Sequence, residues 1–195
     1  MTITLHLGLP PGQKSQAAAL YWQAFGGKLD RVMGPEPRAI GFLTRVIRPD
    51  HVIVALDAKG NVVGLAGFKT HRGAFAGGST ADMRAIYGRW GATWRAAILW
   101  LLQREVDNRH FLLDGICVDR SVRNSGIGTA LLAAICAEAR RRGYPGVRLD
   151  VIDTNFRARA LYERNGFVTT GTQSLGLLRH LFGFAAATTM VRPLA

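Results

Sequence analysis

Hydrophobic residues follow different patterns in the two halves of the chain. In the first half, alternation over residues 2–7 predicts a strand, and helical spacing from Gln13 to Phe25 predicts an amphipathic helix that Gly26-Gly27 closes. A shorter helix is expected from Pro37 to Val46. Two valine-rich runs on either side of the turn sequence Asp57–Asn61 predict a β-hairpin.

Strand-like runs and helical patterns alternate in the second half. Strands are predicted at residues 111–118, 147–152, 167–172 and 185–191, and helices at residues 129–142 and 155–164. Residues 173–184 are expected to form an apolar loop. A strand, a helix and a second strand in this order predict a parallel pair, whereas the hairpin of the first half is antiparallel, so the sheet is expected to be mixed.

A longer segment at about residues 78–108 lies between these two halves. From Thr80 to Glu105 it carries apolar and aromatic residues at helical spacing, namely Ile86, Trp90, Trp94, Ile98, Leu101 and Leu102. Such a stripe usually packs into a core, and the alternative is a wall for a ligand pocket. Because no linker or repeat interrupts the chain, we expect residues 1–195 to form a single domain with this segment as a helical addition.

The chain is strongly basic, with 25 Lys and Arg residues against 13 acidic residues. Such a charge can favour binding of nucleic acid, and it can also favour binding of an anionic cofactor. The basic residues are spread along the sequence without a run of five, so nucleic acid is the less favoured partner.

The N-terminal residues lack the basic and apolar regions of a signal peptide, and no apolar run reaches the length of a membrane span. We therefore expect a cytoplasmic protein without a membrane partner. Cys117 and Cys136 lie in separate apolar segments without metal-site spacing, and they are expected to be buried free thiols.

The stretch from Arg123 to Thr129 joins a predicted strand to a predicted helix and contains Gly126 and Gly128. Helix N-termini present unpaired N–H groups and a partial positive charge, and glycines let a phosphate approach closely, so the stretch predicts an anion site. A P-loop would need a lysine that is absent here. A dinucleotide-binding turn would need a third glycine where Leu131 stands, although Asp150 has the spacing of the ribose-binding acid of that fold.

Two motifs further restrict the identity of the expected ligand. The turn has the pattern Arg123-x-x-Gly126-x-Gly128, and the later helix has Asn155-x-x-Ala158-x-x-Leu161-Tyr162 followed by Gly166-Phe167. Together they resemble the GNAT superfamily of acyl-CoA-dependent N-acetyltransferases, over roughly residues 111–168. The resemblance implies an α/β (α+β) fold, in which helices flank both faces of a mixed, mostly antiparallel twisted sheet with a central parallel strand pair. It also implies acetyl-CoA (coenzyme A) as co-substrate, and no metal.

The resemblance gives roles to individual residues. Backbone N–H groups of the turn would hold the pyrophosphate of acetyl-CoA, and they belong to Arg123, Asn124, Ser125, Gly126, Ile127, Gly128 and Thr129. The preceding strand, with Ile116, Cys117 and Val118, would hold the pantetheine arm and the acetyl carbonyl. Asn155 would lie near the same arm, and Tyr162 would face the sulfur leaving group. The alternatives are that Asn155 caps its helix and that Tyr162 is a core residue.

An attacking amine needs a base, since an amine with a pKa of ~10.4 is almost entirely protonated at pH 7. Asp114 and Asp150 are the candidates, because each interrupts an apolar strand and a buried carboxylate needs a partner or a function. The alternative is that a nearby arginine pairs with one of them, the candidates being Arg148, Arg157 and Arg159.

These features predict an enzyme that transfers acetyl from acetyl-CoA to a primary amine by direct attack in a ternary complex. A covalent route is not favoured, because the one cysteine near the site, Cys117, lies in a strand and is expected to be buried. The acceptor can be a small-molecule amine or an amine of a peptide or protein, and a homodimer stays open. The alternative function is a non-catalytic acyl-CoA-binding sensor.

Overall fold

The computed structural model describes residues 2–102, 109–176 and 179–194. The strands are β1 (Thr4–Leu7), β2 (Val52–Leu56), β3 (Val62–Thr70), β4 (Gly73–Ala74), β5 (Phe111–Val118), β6 (Gly146–Ile152), β7 (Val168–Ser174) and β8 (Ala186–Pro193). The helices are α1 (Lys14–Met33), α2 (Glu36–Val46), α3 (Thr80–Leu102), α4 (Ile127–Arg141), α5 (Phe156–Arg164) and α6 (Arg179–Phe182). None of the helices in these ranges is both long enough and apolar enough to cross a bilayer.

The strands form one sheet in the order β1-β2-β3-β5-β6-β8-β7, and the short β4 pairs with β3. Every pairing is antiparallel except that of β5 with β6. The structure therefore confirms the predicted mixed sheet with a central parallel pair.

Helices cover both faces of this sheet, as expected. Residues of β2 alternate between two buried clusters, with Val52 and Val54 packing beneath α1 and α2, and Ile53 and Ala55 packing beneath α4. The two predicted cysteine environments are confirmed, since both thiols are free and buried.

Helix α1 is longer than the sequence pattern predicts. It continues through Gly26-Gly27 and ends at Met33. A Cβ atom at residue 26 would come within 2.8 Å of the Trp22 ring, so this glycine permits close packing. A glycine inside a helix costs only about 1 kcal/mol relative to alanine, and apolar residues at helical spacing resume after it, with Val32 and Met33 buried.

Helix α3 is broken at Gly88, whose φ of 71° and ψ of 175° are not helical. Ile86 and Ile98 pack against the core, but Trp90 is 90% exposed and Trp94 is 42% exposed. Core packing was therefore the wrong prediction for these two tryptophans, because a spacing counted across the break does not describe one helix face. The predicted extension of this helix to residue 105 lies outside the described residues.

The segment predicted as an apolar loop, at residues 173–184, contains the short helix α6. The other predicted elements are present, with boundaries shifted by a few residues at most.

The exposure of the tryptophans predicts opposite effects for one type of substitution. Trp90→Ala should change the free energy of unfolding by less than about 0.5 kcal/mol, because the side chain has few contacts to lose. Trp22→Ala should lower it by roughly 3–5 kcal/mol, because that ring is 7% exposed. Urea unfolding followed by circular dichroism measures both values, and a large loss for Trp90→Ala would contradict the exposed position.

Candidate active site

A cleft opens where the parallel strands separate. The β5–β6 pairing is limited to Phe111 with Val147 and Leu112 with Arg148. Beyond these residues β5 stays paired with β3 as far as Val118, while β6 stays paired with β8. The strands therefore diverge, and a cavity of about 290 Å³ lies between them.

A β-bulge at Asp114 determines which side chains face this cleft. Gly67 pairs with Gly115 and Phe68 with Leu113, so Asp114 has no partner residue in the ladder. The extra residue reverses the alternation of β5. Leu113 consequently packs in the α4-side cluster, whereas Cys117 packs in the α1-side cluster.

The backbone of β5 also presents unpaired groups to the cleft. The N–H of Asp119 donates to the carbonyl of Val63 on β3 at 2.9 Å. Because successive residues of a strand direct their N–H groups to opposite sides, the N–H groups of Ile116 and Val118 face away from β3. They therefore point into the gap that β6 leaves, while Cys117 contributes its side chain to the wall.

The turn before α4 forms one mouth of the cleft. Asn124 and Gly126 have left-handed φ values of 65° and 83°, and α4 begins directly afterwards. Its first backbone hydrogen bond runs from the N–H of Ala130 to the carbonyl of Gly126, at 3.0 Å. The preceding N–H groups, those of Ile127, Gly128 and Thr129, have no partner among the described residues, so they are available to an anion.

Two side chains fix the shape of this turn. The Nε of Arg123 donates to the carbonyl of Val118 at 3.2 Å, and the hydroxyl of Ser125 donates to the carbonyl of Val122 at 2.6 Å. Arg123 therefore ties the turn to the end of β5. Gly128 lines the cleft itself, which makes the turn and the cavity continuous.

Asn155 and Tyr162 line the opposite wall of the cleft. Asn155 caps α5, since its Oδ1 accepts from the N–H of Ala158 at 3.3 Å. Tyr162 is 7% exposed, and its ring packs 5.9 Å from that of Phe167. Burial, with a smaller effect of Cys117, raises the pKa of the Tyr162 hydroxyl far above its usual range. The phenol therefore stays protonated and can only donate or share its proton.

The two carboxylates, Asp114 and Asp150, both line the cleft. The side chain of Asp114 is exposed to the cleft, and desolvation by the surrounding protein atoms raises the pKa of its carboxyl, with Lys69 acting in the opposite direction. Asp150 is oriented by the hydroxyl of Thr189, which donates to its Oδ1 at 2.6 Å. Arg159, one candidate ion-pair partner, pairs instead with Glu163 at 2.9 Å.

Helix α1 supplies cleft residues that the sequence pattern did not identify. Tyr21, Phe25 and Leu29 line the cavity, with the Tyr21 and Phe25 rings 4.5 Å apart. A Cβ at Gly115 would come within 3.0 Å of the Phe25 ring, so α1 lies directly over the strand at this residue. The available signal was the glycine itself, since a glycine inside a strand often marks a close approach.

Cys117 is a poor nucleophile in this environment. Burial raises the pKa of its thiol far above the usual range, which keeps the sulfur protonated. Among residues 2–102, 109–176 and 179–194, no group of three or more His, Cys, Asp or Glu side chains could hold a metal ion.

The sequence matches the family model described as the Acetyltransferase (GNAT) family over residues 16–167, which is most of the chain. The chain belongs to the GNAT acetyltransferase family. Its co-substrate class is accordingly acetyl-CoA, and the unpaired turn and the diverging strands lie in the part of the chain that matches. A search of curated proteins found no match.

Solved structures share the fold of this GNAT protein at low sequence identity. One acetyltransferase is 20% identical and superposes with a TM-score of 0.64, covering 98% of this chain and 100% of its own. An N-acetyltransferase from Staphylococcus aureus is 14% identical with a TM-score of 0.66, covering 96% and 99%. A Bacillus anthracis protein assigned as a streptothricin acetyltransferase, in complex with acetyl coenzyme A, is 19% identical with a TM-score of 0.51, covering 74% and 62%.

The environment of Asp114 predicts a stability cost that this GNAT protein bears at neutral pH. A carboxyl whose pKa is higher in the folded than in the unfolded chain destabilises the fold as the pH rises from the unfolded value of ~3.9 through the folded value. Asp114→Asn should therefore raise the melting temperature relative to wild type at pH 8 and change it little at pH 4. Thermal unfolding at both pH values measures the effect.

Asp57 provides a control of opposite sign. Hydrogen bonds from Asn61 lower the pKa of the Asp57 carboxyl, so its contribution is present above the unfolded value and is lost as the pH falls. Asp57→Asn should therefore destabilise the protein at pH 8 more than at pH 4. A lower melting temperature for Asp114→Asn than for wild type at pH 8 would contradict the raised pKa of the Asp114 carboxyl.

Proposed function

We propose that this protein transfers the acetyl group of acetyl-CoA to a primary amine by direct attack in a ternary complex. The observation that carries the proposal is the continuous cleft, which runs from the unpaired N–H groups of α4 to Tyr162 and the two carboxylates. The proposal treats residues 1–195 as one acetyltransferase domain, in which the segment at about residues 78–108 is an addition.

The donor half of the site would be built mainly from backbone. The pyrophosphate would lie on the turn from Arg123 to Thr129, where unpaired N–H groups and the dipole of α4 favour anions. The pantetheine arm would extend along β5 where pairing with β6 has ended, near Asn155. The thioester carbonyl would accept from the N–H of Ile116 or Val118, and the same N–H would stabilise the oxyanion that forms on attack.

The acceptor amine would lose a proton before it attacks. Asp114 is the favoured base, because its raised pKa makes it more basic than an ordinary aspartate. Asp150, oriented by Thr189, would hold the ammonium group and can serve as the second base candidate. The neutral nitrogen then bonds to the thioester carbon, and the carbonyl electron pair moves to the oxygen.

Collapse of this intermediate breaks the carbon–sulfur bond and releases the thiolate of coenzyme A. Tyr162 would donate a hydrogen bond to the leaving sulfur, and the second proton of the amine neutralises the thiolate. The raised pKa of Tyr162 makes complete transfer of its own proton uphill, so hydrogen bonding is its favoured role. The protonated, buried thiol of Cys117 supports direct attack over an acyl-cysteine intermediate.

Gly128→Val should abolish binding of acetyl-CoA. The residue lies in the first turn of α4 and lines the cleft. A Cβ there already comes within 3.3 Å of Leu161, so a branched side chain would occupy space in the proposed binding site for acetyl-CoA. Isothermal titration with acetyl-CoA measures the loss, which should exceed about 100-fold in affinity, or ~2.7 kcal/mol.

Ala137→Val is the control, because it introduces the same side chain at an exposed residue of the same helix that does not line the cleft. It should bind acetyl-CoA like wild type. Equal affinity of the two variants for acetyl-CoA would refute the proposed binding site for acetyl-CoA.

Tyr162→Phe should lower kcat by about 10–100-fold and change the affinity for acetyl-CoA little, because a hydrogen bond to a charged group contributes about 1.5–3 kcal/mol. Steady-state release of the coenzyme A thiol, with titration of acetyl-CoA alongside, separates the two effects. A wild-type protein that binds acetyl-CoA but acetylates no amine would instead favour the non-catalytic sensor.

A further inference from the structure

The acceptor end of the cleft has a composition that restricts the amine. Its wall consists of Tyr21, Phe25 and Leu29 from α1, together with Phe182 and Phe184 from the segment between β7 and β8. Four of these five side chains are aromatic, and they line the same cavity as the two carboxylates. The acceptor end therefore offers apolar surface to the body of a ligand and negative charge to its amine.

Positive charge is absent from the described lining of this cleft. No Lys or Arg is among the residues that line it, and the cation that acts on Asp114, Lys69, is outside that lining. An acceptor carboxylate would therefore lie among apolar rings and near two carboxylates, with no Lys or Arg among the described residues that line the cavity. Desolvation and like-charge repulsion both oppose such a ligand.

Described residues of the segment between β7 and β8 pack against α1 and line this end of the cleft. The guanidinium of Arg31 on α1 donates to the carbonyl of His180 at 2.6 Å, and the Phe182 side chain is buried in the α1-side cluster. At the base of the segment, the N–H of Leu175 donates to the carbonyl of Ala185 at 2.9 Å. The carboxylate of Asp153 accepts from the N–H groups of Ala185 and Ala186, both at 3.1 Å.

The volume of the cleft restricts the size of the acceptor. The cavity of about 290 Å³ is at the lower limit of small-molecule sites, which span roughly 300–1,000 Å³. Part of this volume would be taken by the acetylated end of the pantetheine arm. A ligand whose body packs within this volume is therefore small.

We propose that the acceptor is a small primary amine with a compact aromatic or branched aliphatic body, a single positive charge and no carboxylate. This acceptor class rests on the proposed acetyl transfer at the same site. Its ammonium group is held between Asp114 and Asp150, and its carbon body packs against Phe25, Leu29 and Phe184.

The experiment compares matched amines with wild-type protein and acetyl-CoA, following thiol release and the mass of the product. 2-Phenylethylamine and L-phenylalanine share an aromatic body and differ by a carboxylate, as do 3-methylbutylamine and L-leucine. The kcat/KM of each amine should exceed that of its amino acid by at least about 100-fold, which corresponds to ~2.7 kcal/mol. L-Phenylalaninamide keeps the substituted carbon of L-phenylalanine but lacks the carboxylate charge. Its kcat/KM should lie between those of 2-phenylethylamine and L-phenylalanine.

Spermidine, an aminoglycoside and a short lysine-containing peptide represent the excluded classes. A kcat/KM for any of these or for an amino acid that equals or exceeds that of 2-phenylethylamine overturns the acceptor class, while the proposed acetyl transfer stands. If acetyl-CoA binds and no amine of any class is acetylated, the proposed transfer and the acceptor class both fail.

A substitution in the wall tests the contact directly. Phe184→Ala should raise the KM for 2-phenylethylamine by about 10-fold, through loss of apolar contact, and leave the affinity for acetyl-CoA unchanged. An unchanged KM for this variant, with acetyl-CoA binding intact, would remove Phe184 from the acceptor site and overturn the proposed wall.

Discussion

The short ladder between β5 and β6 is the constraint on which the rest of the site depends. Each of these strands is held along its length by an antiparallel neighbour, but they hold each other only at Phe111–Leu112. Where two neighbouring strands are each paired on their outer side but not with each other, backbone N–H and C=O groups on their inner sides lack partners in the sheet. Such groups need water or a ligand, so the divergence creates both the space and the hydrogen-bonding demand of a binding site.

The bulge at Asp114 adds side-chain chemistry to this backbone opening. It bends β5 at the point where the ladder ends and reverses which residues face α1. The same displacement brings a carboxyl into a confined cavity and seats the Phe25 ring over Gly115. One irregular residue thus determines the position of a candidate base and of part of the wall beside it.

Local sequence signals were sufficient for much of the fold and for the strand, turn and helix start on which the proposed donor site rests. The apolar run before Asp119, the glycines of the turn and the helix start all act within a few residues, so their positions could be predicted. The bulge depends on the register between β5 and β3, and register is a property of two strands. The continuation of α1 through Gly26 depends on the Trp22 ring beneath it, and the exposure of Trp90 depends on a single left-handed residue, Gly88.

The proposed donor and acceptor halves of the site also differ in the kind of atoms that would form them. This difference explains why sequence motifs point to the donor half and not to the acceptor half. The turn and the β5 edge present main-chain groups, which need only a few glycines and a conformation, so different side chains can build the same donor site. The acceptor end is made of side chains from α1 and from the segment before β8, which meet only in the folded protein. In the proposed transfer, selectivity for the acceptor would therefore depend on residues far apart in sequence, and a change of acceptor could leave the proposed donor site intact.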